Sequence, residues 1–241
     1  MRVWNLLLPV DGFCMSGEIA PLFIRWSLPH WAALGVVALA AGGLLWGCRR
    51  LRMEKRVLIG KALGAVFLLT FLIETFGRIV REHWEPWQDR LPLHFCSLMT
   101  LVCFIALWFR KPWACAVAYF GVLTASVQGL ITPMLHDGFP SAAFFVGHGL
   151  LLISALYLPV VLGWRARPWD DVKTLGLCDA YLLLIIPVNV WLGTNYGFTR
   201  YAPAGTVLEY FGLAPWYLLT LQLPALAILR LLYLTVRLRK K

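Results

Sequence analysis

"PLHFCSLMTLVCFIALWFRKPWACAVAYFGVLTASVQGLIT", residues 92–132, holds two apolar runs, 92–109 and 113–132, separated only by "RKP". A helix needs about 20 apolar residues to cross the hydrocarbon of a bilayer, and each run is close to that length. So short a link permits only an antiparallel return, and the stretch predicts a transmembrane helical hairpin. Working outward, further runs of the same kind lie at 31–48, 57–80, 143–163, 174–193 and 211–236. The expected fold class is all-α: one polytopic domain over residues 1–241 with seven transmembrane helices. No linker, second domain or internal repeat is visible. Pro187 and Pro224 are expected to kink the last two helices, because a proline frees a carbonyl one turn earlier.

The composition agrees. With 60% hydrophobic and 14% charged residues, 241 residues cannot hide their apolar surface inside one soluble core. A net charge of +10 would point to nucleic acid in a soluble domain, but in a membrane protein Lys and Arg collect in cytoplasmic loops. No nucleic-acid partner is expected. The basic segments "RRLRMEKR" (49–56), "RK" (110–111), "RARPWDDVK" (165–173) and "RLRKK" (237–241) fall at every second loop. This predicts an outside N-terminus, a cytoplasmic C-terminus and a multi-pass protein of the cell membrane. The opening "MRVWNLLLPVDGFC" is too weakly patterned for a cleavable signal peptide. Cys14, Cys48, Cys96, Cys103, Cys115 and Cys178 show no CxxC spacing, so no zinc site or disulfide framework is signalled. No cofactor is expected.

Ionisable groups within a span are expensive and mark candidate functional residues. Glu74 and Arg78 lie one turn apart on the second span and can pair with each other. His30 opens the first span, His94 and Cys96 open the third, and Gln128 lies a turn from the outer end of the fourth. His148 sits inside the fifth, and Asn189 with the "GTNYG" segment, Asn195 and Tyr196 included, closes the sixth. Polar groups from six spans are thus expected in one layer of the outer half of the bilayer, and the inner half is comparatively plain. Such a layer suits a pocket between helices. Each member also has a structural use: His30 as an interface anchor, Gln128 and Asn189 as helix ties.

Within that layer Cys96 is the one good nucleophile. A buried thiol stays inert without a base or a positive charge nearby. His94, two residues before Cys96, would face away unless Pro92 delays the start of the helix, which makes His148 the preferred base. A Cys/His pair suits acyl transfer through a thioester, with Asn195, Gln128 or a backbone N–H near a helix start stabilising the oxyanion. Two other uses of the same atoms remain open. His30, His94, Cys96 and His148 could surround zinc, or Cys96 could pair with Cys14 as an extracytoplasmic disulfide.

The order "LPHWAAL" (28–34), "LPLHFC" (91–96), "AYFGVLTASVQGLITP" (118–133), "FPSAAFFVGHG" (139–149) and "VNVWLGTNYGF" (188–198) resembles the YwaF and transmembrane protein 164 family. The likeness runs from about residue 22 to 236. It implies a seven-helix fold and, from the animal branch, a cysteine-dependent acyltransferase moving a fatty acyl chain from phospholipid to lysophospholipid. The family nucleophile falls on Cys96 and its histidine partner on His148, and His94 belongs to the same motif. The compact chain is more similar to the bacterial branch, which implies a bacterial inner membrane. Phospholipids or lysophospholipids are therefore the expected partners. The competing expectation, from a different class, is a transporter or small-molecule binding protein with Glu74, Arg78 and the histidines lining a polar cavity.

Overall fold

The computed structural model describes residues 24–80, 87–133, 141–214 and 216–237, with the side chains of 78–80 and 141 excepted. Its elements are α1 (Leu28–Arg49), α2 (Met53–Val80), α3 (Phe95–Trp108), α4 (Pro112–Gly121), α5 (Val127–Ile131), α6 (Ser141–Val160), α7 (Asp170–Leu192), α8 (Tyr217–Thr220) and α9 (Gln222–Arg237). Short 3-10 turns cover Trp87–Arg90, Tyr196–Phe198 and Val207–Phe211, and a π-helical turn, Val122–Ser126, joins α4 to α5. Among the described residues there is no strand. Seven helical segments are long and apolar enough to cross a membrane, ending with Tyr217–Arg237.

Proline and glycine set the bounds. Pro29 and Pro112 stand in the first turns of α1 and α4, where a missing N–H costs nothing. α7 ends on Gly193, whose left-handed backbone (φ 76°) lets its N–H cap the Asn189 carbonyl. The last span begins at Tyr217 rather than 211, because Gly212 (φ 104°) breaks the chain direction before it. The two prolines expected to kink act differently. α7 runs through Pro187 without a break, whereas the last span is interrupted at Leu221, three residues before Pro224.

α4 is the post of the bundle: every residue from Ala114 to Gly121 is buried. α3, α6 and α7 pack round it, α2 lies along α3, α1 along α6, and α9 along α7. Lipid supplies no hydrophobic force between helices, so close approach must be built from small side chains. Gly64 shows this: a Cβ there would stand 3.4 Å from Leu107 Cβ and 3.5 Å from the Phe104 carbonyl.

The basic loops meet at one end. Arg56 donates to the carbonyls of Arg49, Leu51 (2.8 Å) and Val161 (3.2 Å), and the Tyr157 hydroxyl donates to the Arg56 carbonyl (2.7 Å). The start of α2 is thereby pinned to the end of α6. Asp171, fully buried at the start of α7, pairs with Arg230 of α9 at 3.2 Å. Removing one partner of such a pair strands a buried charge. Arg230→Met is therefore expected to lower stability by about 3 kcal/mol, and adding Asp171→Leu to recover most of the loss, measured by thermal unfolding in detergent.

Candidate functional site

α3 is short. It starts at Phe95, and His94 before it is extended (φ −63°, ψ 143°). Between the 3-10 turn Trp87–Arg90 and α3 the backbone of residues 91–94 is irregular, and its polar groups need other partners. Tyrosines supply them. The Tyr196 hydroxyl donates to the Gln88 carbonyl and accepts from the Leu91 N–H (3.1 Å), while the Tyr181 hydroxyl donates to the Leu93 carbonyl (2.8 Å). The His94 ring meets the edge of Tyr196 at 4.8 Å between centroids, and Phe95 lies against Tyr181.

Tyr196 is itself fixed by Asn189, which is fully buried. The Asn189 amide donates to the Tyr196 carbonyl (2.7 Å) and the Thr199 hydroxyl (2.8 Å). Its oxygen accepts from the Tyr196 N–H (2.8 Å) and the Thr194 hydroxyl (2.8 Å). All four hydrogen-bonding capacities are used on the "GTNYGF" turn. Asn195 is spent in the same way, donating to the Tyr201 carbonyl and accepting from the Arg200 N–H.

Held by this clamp, Cys96 occupies the first turn of α3 as a free, half-buried thiol. It lies twelve residues from the basic end of its helix (Trp108 minus Cys96), and His148 lies twelve from the end of α6 (Val160 minus His148), about 18 Å in each case. The two also rest on one stretch of the fourth span. The Ser126 side chain lies beside Cys96, buried and without a hydrogen-bond partner. The His148 ring packs so closely on Gly129 that a Cβ there would stand 2.6 Å from Nε2. Ser126 closes the π turn, and Gly129 lies three residues on, in α5. Such turns re-aim side chains and are frequent at functional sites. Tyr181 completes the surroundings, its phenol within electrostatic range of Cys96.

His148 has a defined orientation. Its Nδ1 faces the Phe144 carbonyl at 3.1 Å and must carry the proton, which leaves Nε2 as the basic nitrogen. Phe144 stacks on the ring at 4.1 Å. Among the described residues no hydrogen bond joins thiol and imidazole directly.

The other expected residues divide into groups. His30 is fully buried at the start of α1. Its Nδ1 accepts from the Trp26 N–H (3.0 Å) and its Nε2 donates to the Leu130 carbonyl (2.8 Å), so it ties α1 to α5. Glu74 lines a recess with Phe71 and Thr75 of α2, closed by Pro92 and Ser97 beside Cys96. The side chain of Arg78 and the whole of Cys14 lie outside the described residues, and with them the Glu74–Arg78 pair and the Cys14–Cys96 disulfide. The Gln128 side chain is exposed. The single polar layer is thus two tiers. His30 and Asn189 stand about 28 Å from the basic end, nineteen residues from Arg49 and Asp170, whereas Cys96 and His148 lie some 10 Å deeper. Among the described residues no three His, Cys, Asp or Glu side chains gather to hold a metal, so the zinc arrangement of His30, His94, Cys96 and His148 does not form.

Three features escaped the sequence reading. Ser126 and Gly129 look like ordinary small residues until the partner helices are known. Asp179 was findable, as a carboxylate inside the apolar run 174–193. It accepts from the Gln222 side chain at 3.0 Å, so the inner half is less plain than expected.

The fold is that of a polytopic helical membrane protein, with a cysteine and a histidine set against neighbouring residues of its fourth span. The TMEM164 family profile matches residues 25–233, most of the chain, and the protein belongs to that family. No curated protein and no solved structure matches it.

Two substitutions test the clamp and the seat. Tyr196→Phe leaves the Leu91 N–H and the Gln88 carbonyl without their partner and is expected to cost about 1–3 kcal/mol. It should also speed maleimide labelling of Cys96. Gly129→Ala pushes a methyl into the His148 ring and is expected to cost about 1–3 kcal/mol by overpacking, whereas Gly147→Ala, with open space around it, should be near neutral. Thermal unfolding in detergent reads both.

Proposed function

We propose that this protein is a membrane lipid acyltransferase, with Cys96 as nucleophile and His148 as general base, acting on phospholipid and lysophospholipid. The observation that carries the reading is the shared seat: thiol and imidazole are packed against Ser126 and Gly129 of one helix, with Nε2 left as the base. The family resemblance supports the same two residues.

The steps balance within that pair. His148 Nε2 takes the thiol proton as the Cys96 sulfur attacks the ester carbonyl of the donor lipid. The tetrahedral oxyanion collapses, the carbon–oxygen bond breaks, and the imidazolium returns the proton to the departing lysophospholipid oxygen. An acceptor hydroxyl then gives its proton to Nε2, attacks the thioester and releases the acylated product with the Cys96 thiol restored. The start of α3 favours this chemistry. Its first-turn N–H groups have no intrahelical carbonyl to meet and His94 offers no side-chain cap, so they can face the oxyanion. Asn195 is occupied by its own turn, which favours the backbone donors over it.

A transporter is the alternative, and the half-buried Asp179–Gln222 pair between α7 and α9 is the observation in its favour. The two readings separate in reconstituted vesicles. Acyl exchange between phospholipid and lysophospholipid is expected to fall at least a thousandfold in Cys96→Ala, and to a similar level in His148→Ala, with expression intact. Exchange should be little changed in Cys103→Ala. Undiminished exchange in Cys96→Ala refutes the proposal.

A further inference from the structure

The opposite, basic end of the bundle carries a cleft of its own. There α4 and α7 stand apart over about 10 Å of helix, from Asp170 to Leu177, and enclose about 380 Å³. Its walls are almost entirely carbon, with Ala116 and Val117 on one side and Leu177 on the other, and a half-exposed Trp113 at the mouth. A side chain on Gly176 would meet nothing within 4 Å, so the space is unfilled there.

The rim is cationic. Lys173 lines the cleft, and among the described residues it has no carboxylate partner. Asp170, the one acid in the lining, is buried and accepts from the Arg167 N–H at 2.7 Å, and Asp171 is paired with Arg230. Arg110 and Arg167 both lie within electrostatic range of Cys115 in the first turn of α4, which brings two guanidinium groups to the same end.

We infer that this cleft binds one anionic phospholipid, an acyl chain lying between α4 and α7 and the phosphate resting on Lys173. A cleft of about 380 Å³ is smaller than even two turns of a helix about 10 Å across, which argues against a second copy of the protein as occupant. Charge decides the headgroup: a zwitterionic lipid brings an ammonium into a field already positive, and an anionic one does not. The tryptophan at the mouth sits where aromatic rings favour the headgroup level. The site is remote from Cys96 and stands whether or not the acyl-transfer proposal holds.

Native mass spectrometry of the full chain in detergent, titrated with phosphatidylglycerol or with phosphatidylcholine of the same acyl chains, tests it. One retained phosphatidylglycerol per chain is expected, at least about fivefold preferred. Lys173→Ala should weaken retention about fivefold, Lys173→Glu further, and Lys173→Arg should keep it. Gly176→Leu, which fills the cleft, should weaken retention of both lipids. The melting temperature of each variant without lipid reports on folding, and if Gly176→Leu misfolds, the Lys173 series decides alone. Equal retention of the two lipids, indifference to Lys173→Glu, or a dimer in place of a lipid adduct overturns the inference.

Discussion

A helix that begins inside a bilayer leaves backbone polar groups with no water to meet them, and this chain answers that constraint with two tyrosines. Tyr196 and Tyr181 take up the carbonyls of Gln88 and Leu93 and the N–H of Leu91. The segment before α3 can therefore be irregular where lipid would otherwise forbid it. The consequence is positional. Because α3 starts at Phe95, Cys96 stands in a first turn, where amide N–H groups point outward and the helix dipole favours negative charge. A full-length third helix would bury the same thiol among ladder hydrogen bonds, as it does Cys103.

The rest of the site is support for that start. Asn189 spends every donor and acceptor on the turn that carries Tyr196, and His30 locks α1 to the end of α5. Below them the fourth span carries the π turn at Val122–Ser126, which sets Ser126 toward Cys96 and Gly129 under the His148 ring. The two tiers divide the work: the upper holds backbone, and the lower sets Cys96 and His148 against neighbouring residues of the fourth span. At the other end, charge is handled by pairing Asp171 with Arg230 and by folding Arg56 onto carbonyls.

Much of this was legible in the sequence, because length and apolarity decide a membrane span and little else competes with them. The seven helices and the hairpin at "RKP" follow from such patterns. What could not be read is which polar residues face a ligand and which are consumed by the chain. Asn189, Asn195 and His30 look like pocket residues in one dimension, yet their hydrogen bonds go to backbone a few residues or a hundred residues away. Ser126 and Gly129 are the reverse case, since their meaning lies wholly in the helices that pack on them. α7 continues through Pro187, while Pro224 coincides with an interruption of the last span.

The central claim is that Cys96 is the sulfur that carries an acyl group. The most direct measurement is peptide mass spectrometry of the purified chain, quenched in acid after incubation with phospholipid and no acceptor. The account predicts a hydroxylamine-sensitive acyl adduct on Cys96 that disappears when lysophospholipid is added. An adduct on Cys103, Cys115 or Cys178 instead, or no thioester at all while acyl exchange proceeds, would contradict it.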